Sequence, residues 1–183
     1  REIRLRIVQD CWGTPHKNVS REELARETLA PDEVGEIVVA GDHVLRGYLG
    51  GLGDEETKFS VDGVVWHRTG DAGKLDTRGR LWLLGRCAAK VEDARGRLYP
   101  FSVECVAMTF GAVRRAAFVA QPGKRLLVIE LDGGAADCLD EIRAAVAWAQ
   151  VDEVRVIARM PVDKRHNAKI DYPALRRELG LGA

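Results

Sequence analysis

No run of this sequence is apolar for long enough to span a bilayer, and no signal-peptide pattern opens it. Net charge is also missing. The 28 Lys+Arg are matched by 28 Asp+Glu, so no global field draws the chain to nucleic acid or to an anionic membrane. Aromatic residues make up only 6% of the chain and are not interleaved with a basic stripe, which argues against an oligonucleotide surface. Cysteine is scarce and scattered. Cys11, Cys87, Cys105 and Cys138 have no CxxC or CxxH spacing, which excludes a familiar zinc site and fits reduced thiols in a cytoplasm. A phosphate-binding P-loop is absent too: Gly50, Gly51 and Gly53 are not followed by Lys-Ser or Lys-Thr, so they read as a surface loop.

What remains is the composition of a globular protein, 46% apolar and 31% charged over 183 residues, enough for one large domain or two small ones. The chain opens at Arg1 in what reads as mid-strand, which suggests a piece of something longer. Glu2 to Val8 alternates apolar and charged residues with period two, as a half-buried strand does. Ser20 and Glu23 have the spacing of a capping box, so either a short helix or a surface loop follows. Glu36 to Ala40 is a strand, His43 to Tyr48 a further extended run, and Val61-Asp62-Gly63 a hairpin turn. Closely spaced strands of this kind predict a small barrel or compact sheet over residues 1–86.

The chain is organised around Val65-Trp66-His67-Arg68-Thr69-Gly70-Asp71, followed by Gly79 and Arg80 and a Leu/Trp-rich strand ending on Gly85-Arg86. Read for shape, Thr69-Gly70-Asp71 is a tight corner presenting a carboxylate, whose two oxygens suit a vicinal diol such as a ribose. Trp66, Trp82 and Trp148 read as core or interface aromatics. Beyond Arg86 the texture changes. Cys87 to Pro100 reads as a two-stranded hairpin, Ser102 to Met108 as a short helix, and 115–120 and 125–131 as strands. Asp137 suits the cap of a helix from Cys138 to about Ala149, Glu153 to Ala158 is an amphipathic strand, and Pro173 opens a closing helix.

Gly35-Glu-Ile-Val-Val-x-Gly41, Gly47-Tyr48, Thr69-Gly70-Asp71, Gly85-Arg86, and Pro161 with Lys169-Ile170-Asp171 occur in this order. Together they resemble the C-terminal part of adenylate-forming enzymes, the superfamily of acyl-CoA synthetases, peptide-synthetase adenylation domains and luciferases. The resemblance implies an α+β chain: a small β-barrel subdomain over residues 1–86, then a mobile α+β lid domain over 87–183. It also implies ATP-dependent activation of a carboxylic acid, with Mg2+, release of pyrophosphate and then of AMP. Asp71 would hold the ribose hydroxyls, Arg86 would support ribose and phosphate, and Thr69 would shape the nucleotide site. Lys169 would be the catalytic cation, reaching the charge that develops between acyl carboxylate and α-phosphate. The partners implied are the acid, ATP and a large N-terminal domain that carries the phosphate loop, adenine pocket and acyl pocket. Without those parts the chain is expected to be catalytically silent.

Two departures narrow the resemblance. Ala88 stands where CoA ligases have an acidic or Lys hinge residue, and Glu92-Asp93-Ala-Arg95-Gly96 replaces their Lys-x-x-Gly. Val65 to Arg68, Gly79 to Trp82, Gly85 to Ala89 and Pro161 to Ile170 look instead like the olefin β-lactone synthetases, which need no CoA acceptor. An acyl-CoA ligase is the alternative within the family, and a non-catalytic lid or partner-binding module the alternative outside it. His67 and His166 stay candidates only, since a histidine near a nucleotide corner is more often structural.

Overall fold

The computed structural model describes residues 3–15, 18–133, 138–163 and 166–181. The chain divides into two compact units, Arg1–Ala88 and Ala89–Ala183.

In the first unit, strands β1 (Arg4–Val8), β2 (Gly35–Ala40), β3 (Lys58–Val61), β4 (Val64–Leu75) and β5 (Leu81–Arg86) form one antiparallel sheet. The helices are α1 (Arg21–Glu27) and the single turn α2 (Asp54–Thr57). Strand β4 is the spine. His67 faces Val39 of β2 on one edge and Lys58 of β3 on the other, while Ala72 faces Glu36 of β2 and Gly85 of β5. Strands β3 and β5 therefore share one edge of β4, end to end. Strand β1 pairs with β2 and, on its other edge, only through the isolated bridge of Val8 to Thr28 and the Leu29 N–H to the Ile7 carbonyl, so among the described residues the strands do not close on one another and the expected small barrel is not formed.

Local chemistry explains these elements. The Ser20 hydroxyl accepts from the Glu23 N–H at 3.2 Å and the Glu23 carboxylate from the Ser20 N–H at 2.7 Å, so the capping box starts α1. Asp62 and Gly63 both have positive φ, 47° and 80°, the two-residue turn that suits the twist of the β3–β4 hairpin. Leu24 of α1 packs on Val8, Val38, Ala40, Phe59, Val61 and Trp66. His43 to Tyr48, expected as extended, instead makes bends without strand pairing. The expected Thr69-Gly70-Asp71 corner lies inside one continuous strand; Gly70, at φ 68°, and nearby register shifts bend β4 without ending it.

Two charges are buried in this sheet. Glu36 and Arg68 are 0% and 1% exposed. Arg68 Nε and Nη2 both donate to the Glu36 carboxylate, Nη2 at 2.6 Å, and Nη1 donates to the Thr14 carbonyl at 2.6 Å.

The second unit holds a three-stranded sheet in the order β10 (Glu153–Ile157), β9 (Lys124–Leu131), β8 (Val113–Gln121), with β10 parallel to β9 and β8 antiparallel. Alternation along β8 and β9 divides the core. Ala116, Phe118, Leu127 and Ile129 pack with α3 (Pro100–Ala107) and α4 (Leu139–Ala145), whereas Ala117, Val119, Leu126 and Val128 pack with Met160 and with Leu175 of α5 (Tyr172–Glu178). Both faces of this sheet are covered, which is why its strands read as unbroken apolar runs. Two small hairpins complete the unit: β6 (Val91–Asp93) with β7 (Gly96–Leu98), and β11 (Val162–Asp163) with β12 (His166–Ile170). The expected Asp137 cap lies outside the described residues. The helix it was to begin gives way at Val146 to a tight turn over Ala147–Ala149. None of the four cysteines is in a disulfide, and no described helix is long and apolar enough to cross a membrane.

Removing one partner of a buried pair leaves the other charge uncompensated. Glu36→Ala is expected to cost about 3–5 kcal/mol, and Glu36→Leu combined with Arg68→Met markedly less. Urea unfolding followed by tryptophan fluorescence measures both, and equal losses would mean that the pair matters only through packing.

Candidate functional site

Strands β4 and β5 bring Thr69, Asp71 and Arg86 together. Asp71 and Arg86 are register partners across the two strands, with Arg86 Nε 3.1 Å from Asp71 Oδ1. The Thr69 hydroxyl donates to the Ile37 carbonyl at 2.8 Å and accepts from the Asp71 N–H at 3.0 Å, while Arg86 Nη1 donates to the Thr69 carbonyl at 3.1 Å. Thr69 thus ties the carboxylate-bearing segment to β2 and to Arg86 at once. The Asp71 side chain is 32% exposed and that of Arg86 57%. An ion pair this open adds little to stability and leaves both groups within reach of a ligand.

The support beneath rests on a half-buried ring and two buried charges, Arg68 and Asp10. A side chain at Gly70 would meet the Trp12 ring at 2.8 Å, and that ring lies 5.3 Å from the Arg68 guanidinium. The Trp12 backbone N–H in turn donates to Asp10, a buried carboxylate, at 2.9 Å. The loop after β1 therefore packs on Gly70, and Arg68 holds that loop through Thr14. Sequence reasoning missed Trp12, Glu36 and the role of Arg68. One signal was available: Glu36 is a lone charge in the otherwise apolar run Gly35–Ala40.

His67 is engaged elsewhere. Its Nδ1 donates to the Thr57 carbonyl at 3.0 Å, and its pKa is lowered by burial, with the Lys58 ammonium adding repulsion.

In the second unit Lys169 lies on β12, exposed and without an ion pair among the described residues. Its neighbours are fixed. Val162 faces Ile170 across the hairpin, the Asp171 N–H donates to the Pro161 carbonyl at 3.0 Å, and the Asp171 carboxylate caps α5 through the Ala174 N–H at 2.9 Å. Pro161 and Asp171 thus close the base of the loop that carries Lys169. The side chain of His166 lies outside the described residues.

A buried acid anchors the far side of this segment. Glu104 Oε1 accepts both the Phe118 N–H, at 2.8 Å, and the Tyr172 hydroxyl, joining α3, β8 and the start of α5. Burial pushes its pKa up to about 7, against the pull of the two hydrogen bonds. The β6–β7 hairpin is pinned as well. Asp93 accepts from both Arg125 and Arg95, and Arg95 continues to Asp152 at 2.8 Å. These arginines hold Asp93 well below the usual carboxylate range.

No family model matches the chain. It is 40% identical over 159 residues to an olefin beta-lactone synthetase of Stenotrophomonas maltophilia, a match covering 78% of this chain and 29% of that protein. It is 35% identical over 101 residues to a 2-succinylbenzoate–CoA ligase of Enterococcus faecalis, covering 55% of this chain and 20% of the ligase. The fold matches ATP-bound MatB of Rhodopseudomonas palustris with a TM-score of 0.73 at 22% identity, over 96% of this chain and 34% of that one. The chain belongs to the adenylate-forming enzymes. It matches the C-terminal part of longer relatives, spanning 29% of the length of the β-lactone synthetase.

Glu104 sets a pH dependence for the second unit. Its pKa is raised from 4.5 to about 7 on folding, so its contribution is fully present below pH 4.5 and is lost as the pH rises toward 7. The loss is on the order of 3 kcal/mol. Glu104→Gln keeps the carbonyl acceptor and removes the titration. Thermal unfolding from pH 5 to 8 should slope downward in the native chain and flatten in this variant, and parallel curves would refute the assignment.

Proposed function

We propose that this chain is the C-terminal portion of an ATP-dependent ligase that activates a β-hydroxy fatty acid and closes it to a β-lactone. The observation that carries the reading is the Thr69–Asp71–Arg86 cluster, an open carboxylate and guanidinium locked across two strands. In the first step a carboxylate oxygen of the acid attacks the α-phosphorus of ATP, the bond to the β-phosphate breaks, and pyrophosphate leaves. In the second the β-hydroxyl oxygen attacks the acyl carbon, loses its proton and expels AMP as the ring closes.

Asp71 is suited to accept both ribose hydroxyls, and Arg86 to support ribose and phosphate. Thr69 holds the two in register. Lys169 supplies an ammonium for the charge that builds on the α-phosphate oxygens, a charge larger in the transition state than in the ground state. In this reading residues 87–183 act as a lid whose closure delivers Lys169 and excludes water, and residues 1–86 join the large N-terminal domain of a cytoplasmic enzyme. Magnesium would enter with the triphosphate. The described residues contain no cluster of three His, Cys, Asp or Glu side chains placed to hold a metal.

The likeness to a 2-succinylbenzoate–CoA ligase favours a second reading, in which CoA takes the acyl group. Against it, Asp93 and Arg95, which stand where CoA ligases carry their Lys-x-x-Gly, are committed to a network with Arg125 and Asp152. A non-catalytic lid would have no chemical use for Asp71, Arg86 and Lys169 together.

In the complete polypeptide containing this chain, pyrophosphate–ATP exchange tests the roles. Lys169→Ala should lower the exchange rate by about a hundredfold or more with little change in the KM for ATP. Asp71→Ala should raise that KM by roughly tenfold or more. Unchanged exchange in both variants would remove the catalytic reading.

A further inference from the structure

A cleft apart from the Thr69–Asp71–Arg86 cluster lies in the first unit, between α1 and β1. It encloses about 280 Å³, and Thr69, Asp71 and Arg86 take no part in its lining. Its rim carries Arg4 and Arg6 of β1 and Arg21 of α1, and its floor includes Leu24, Val61 and Trp66. No lining residue is acidic.

The placement follows from the strand period. Arg4 and Arg6 are two residues apart on β1 and so point to one face, the face on which α1 packs through Leu24. Register continues the row inward, since Arg4 faces Ala40 and Ala40 faces Trp66. The Arg4 guanidinium stands 5.9 Å from the Trp66 ring. Neither Arg4 nor Arg6 has a carboxylate partner among the described residues; the Arg6 guanidinium donates to the Leu5 carbonyl at 2.9 Å. Arg21 is 3.7 Å from Asp62, both groups being open to water.

A net-neutral protein has thus gathered three guanidinium groups around one apolar recess. Guanidinium forks match carboxylate and phosphate oxygens in pairs, and an aliphatic and indole floor favours a hydrocarbon tail. We infer that this cleft binds a small amphiphile with an oxyanion head, carboxylate or phosphate, and an apolar tail. The head lies among Arg4, Arg6 and Arg21, and the tail against Leu24, Val61 and Trp66. The site is independent of the acid-activating role proposed above.

The probes are octanoate, octyl phosphate and octanol, titrated into the chain by calorimetry and by following the Trp66 indole N–H, assigned with Trp66→Phe. Octanoate or octyl phosphate should saturate and shift that signal, and octanol should bind about tenfold or more weakly for lack of charge-assisted hydrogen bonds. Whichever anion binds more tightly identifies the head group. Arg4→Ala combined with Arg6→Ala removes two exposed side chains and should leave the melting temperature unchanged while weakening the anion about tenfold or more. Arg143→Ala, on α4 of the other unit, should change nothing. Absence of saturable binding by either anion, affinity unmoved by the Arg4/Arg6 variant, or octanol binding as tightly would each overturn the inference.

Discussion

The buried Glu36–Arg68 pair is the contact on which the rest of the first unit depends. It fastens β2 to β4 from inside the sheet, where both charges are shielded and must satisfy each other. The third bond of Arg68, to Thr14, reaches out of the sheet and holds the loop that carries Trp12. Trp12 occupies the space above Gly70 that any side chain would need. A chain of contacts therefore runs from a buried ion pair to the backbone bend between Thr69 and Asp71. It gives an open carboxylate and guanidinium a rigid base, and rigidity is what a binding constellation requires of its scaffold.

The second unit uses a different device. Its sheet is sandwiched between helices, and polar networks fasten the peripheral pieces to it. Glu104 draws the start of α5 onto α3 and β8 through Tyr172 and Phe118. Arg125 and Asp93 do the same for the β6–β7 hairpin. Lys169 is left exposed on a hairpin whose base is closed by Pro161 and Asp171. A fixed base and an exposed ammonium fit a group offered to a ligand from outside the unit.

Much of this was legible in the sequence where the cause is local. The Ser20 capping box, the Asp62-Gly63 turn and the period-two strands act over a few residues, and each appears as read. The grouping of Thr69, Asp71 and Arg86 was legible through family resemblance, and the strand register gives it a geometry. Contacts between distant residues were not legible. Glu36 and Arg68 are 32 residues apart, and Glu104 and Tyr172 are 68 apart, so no periodicity marks them as partners. The Thr-Gly-Asp segment was misread as a corner because glycine signals a turn far more often than a bend within a strand. The barrel failed for a related reason: closure depends on whether β1 meets the β3/β5 edge, and alternation along one strand does not specify its neighbours.

The reaction product distinguishes ring closure from transfer to CoA. The complete polypeptide containing this chain should be given ATP, magnesium and a long-chain β-hydroxy acid, with and without CoA, and the product identified by mass spectrometry. Ring closure gives a species lighter than the acid by one water, formed without CoA and accompanied by AMP. A thioester formed only when CoA is present would contradict it.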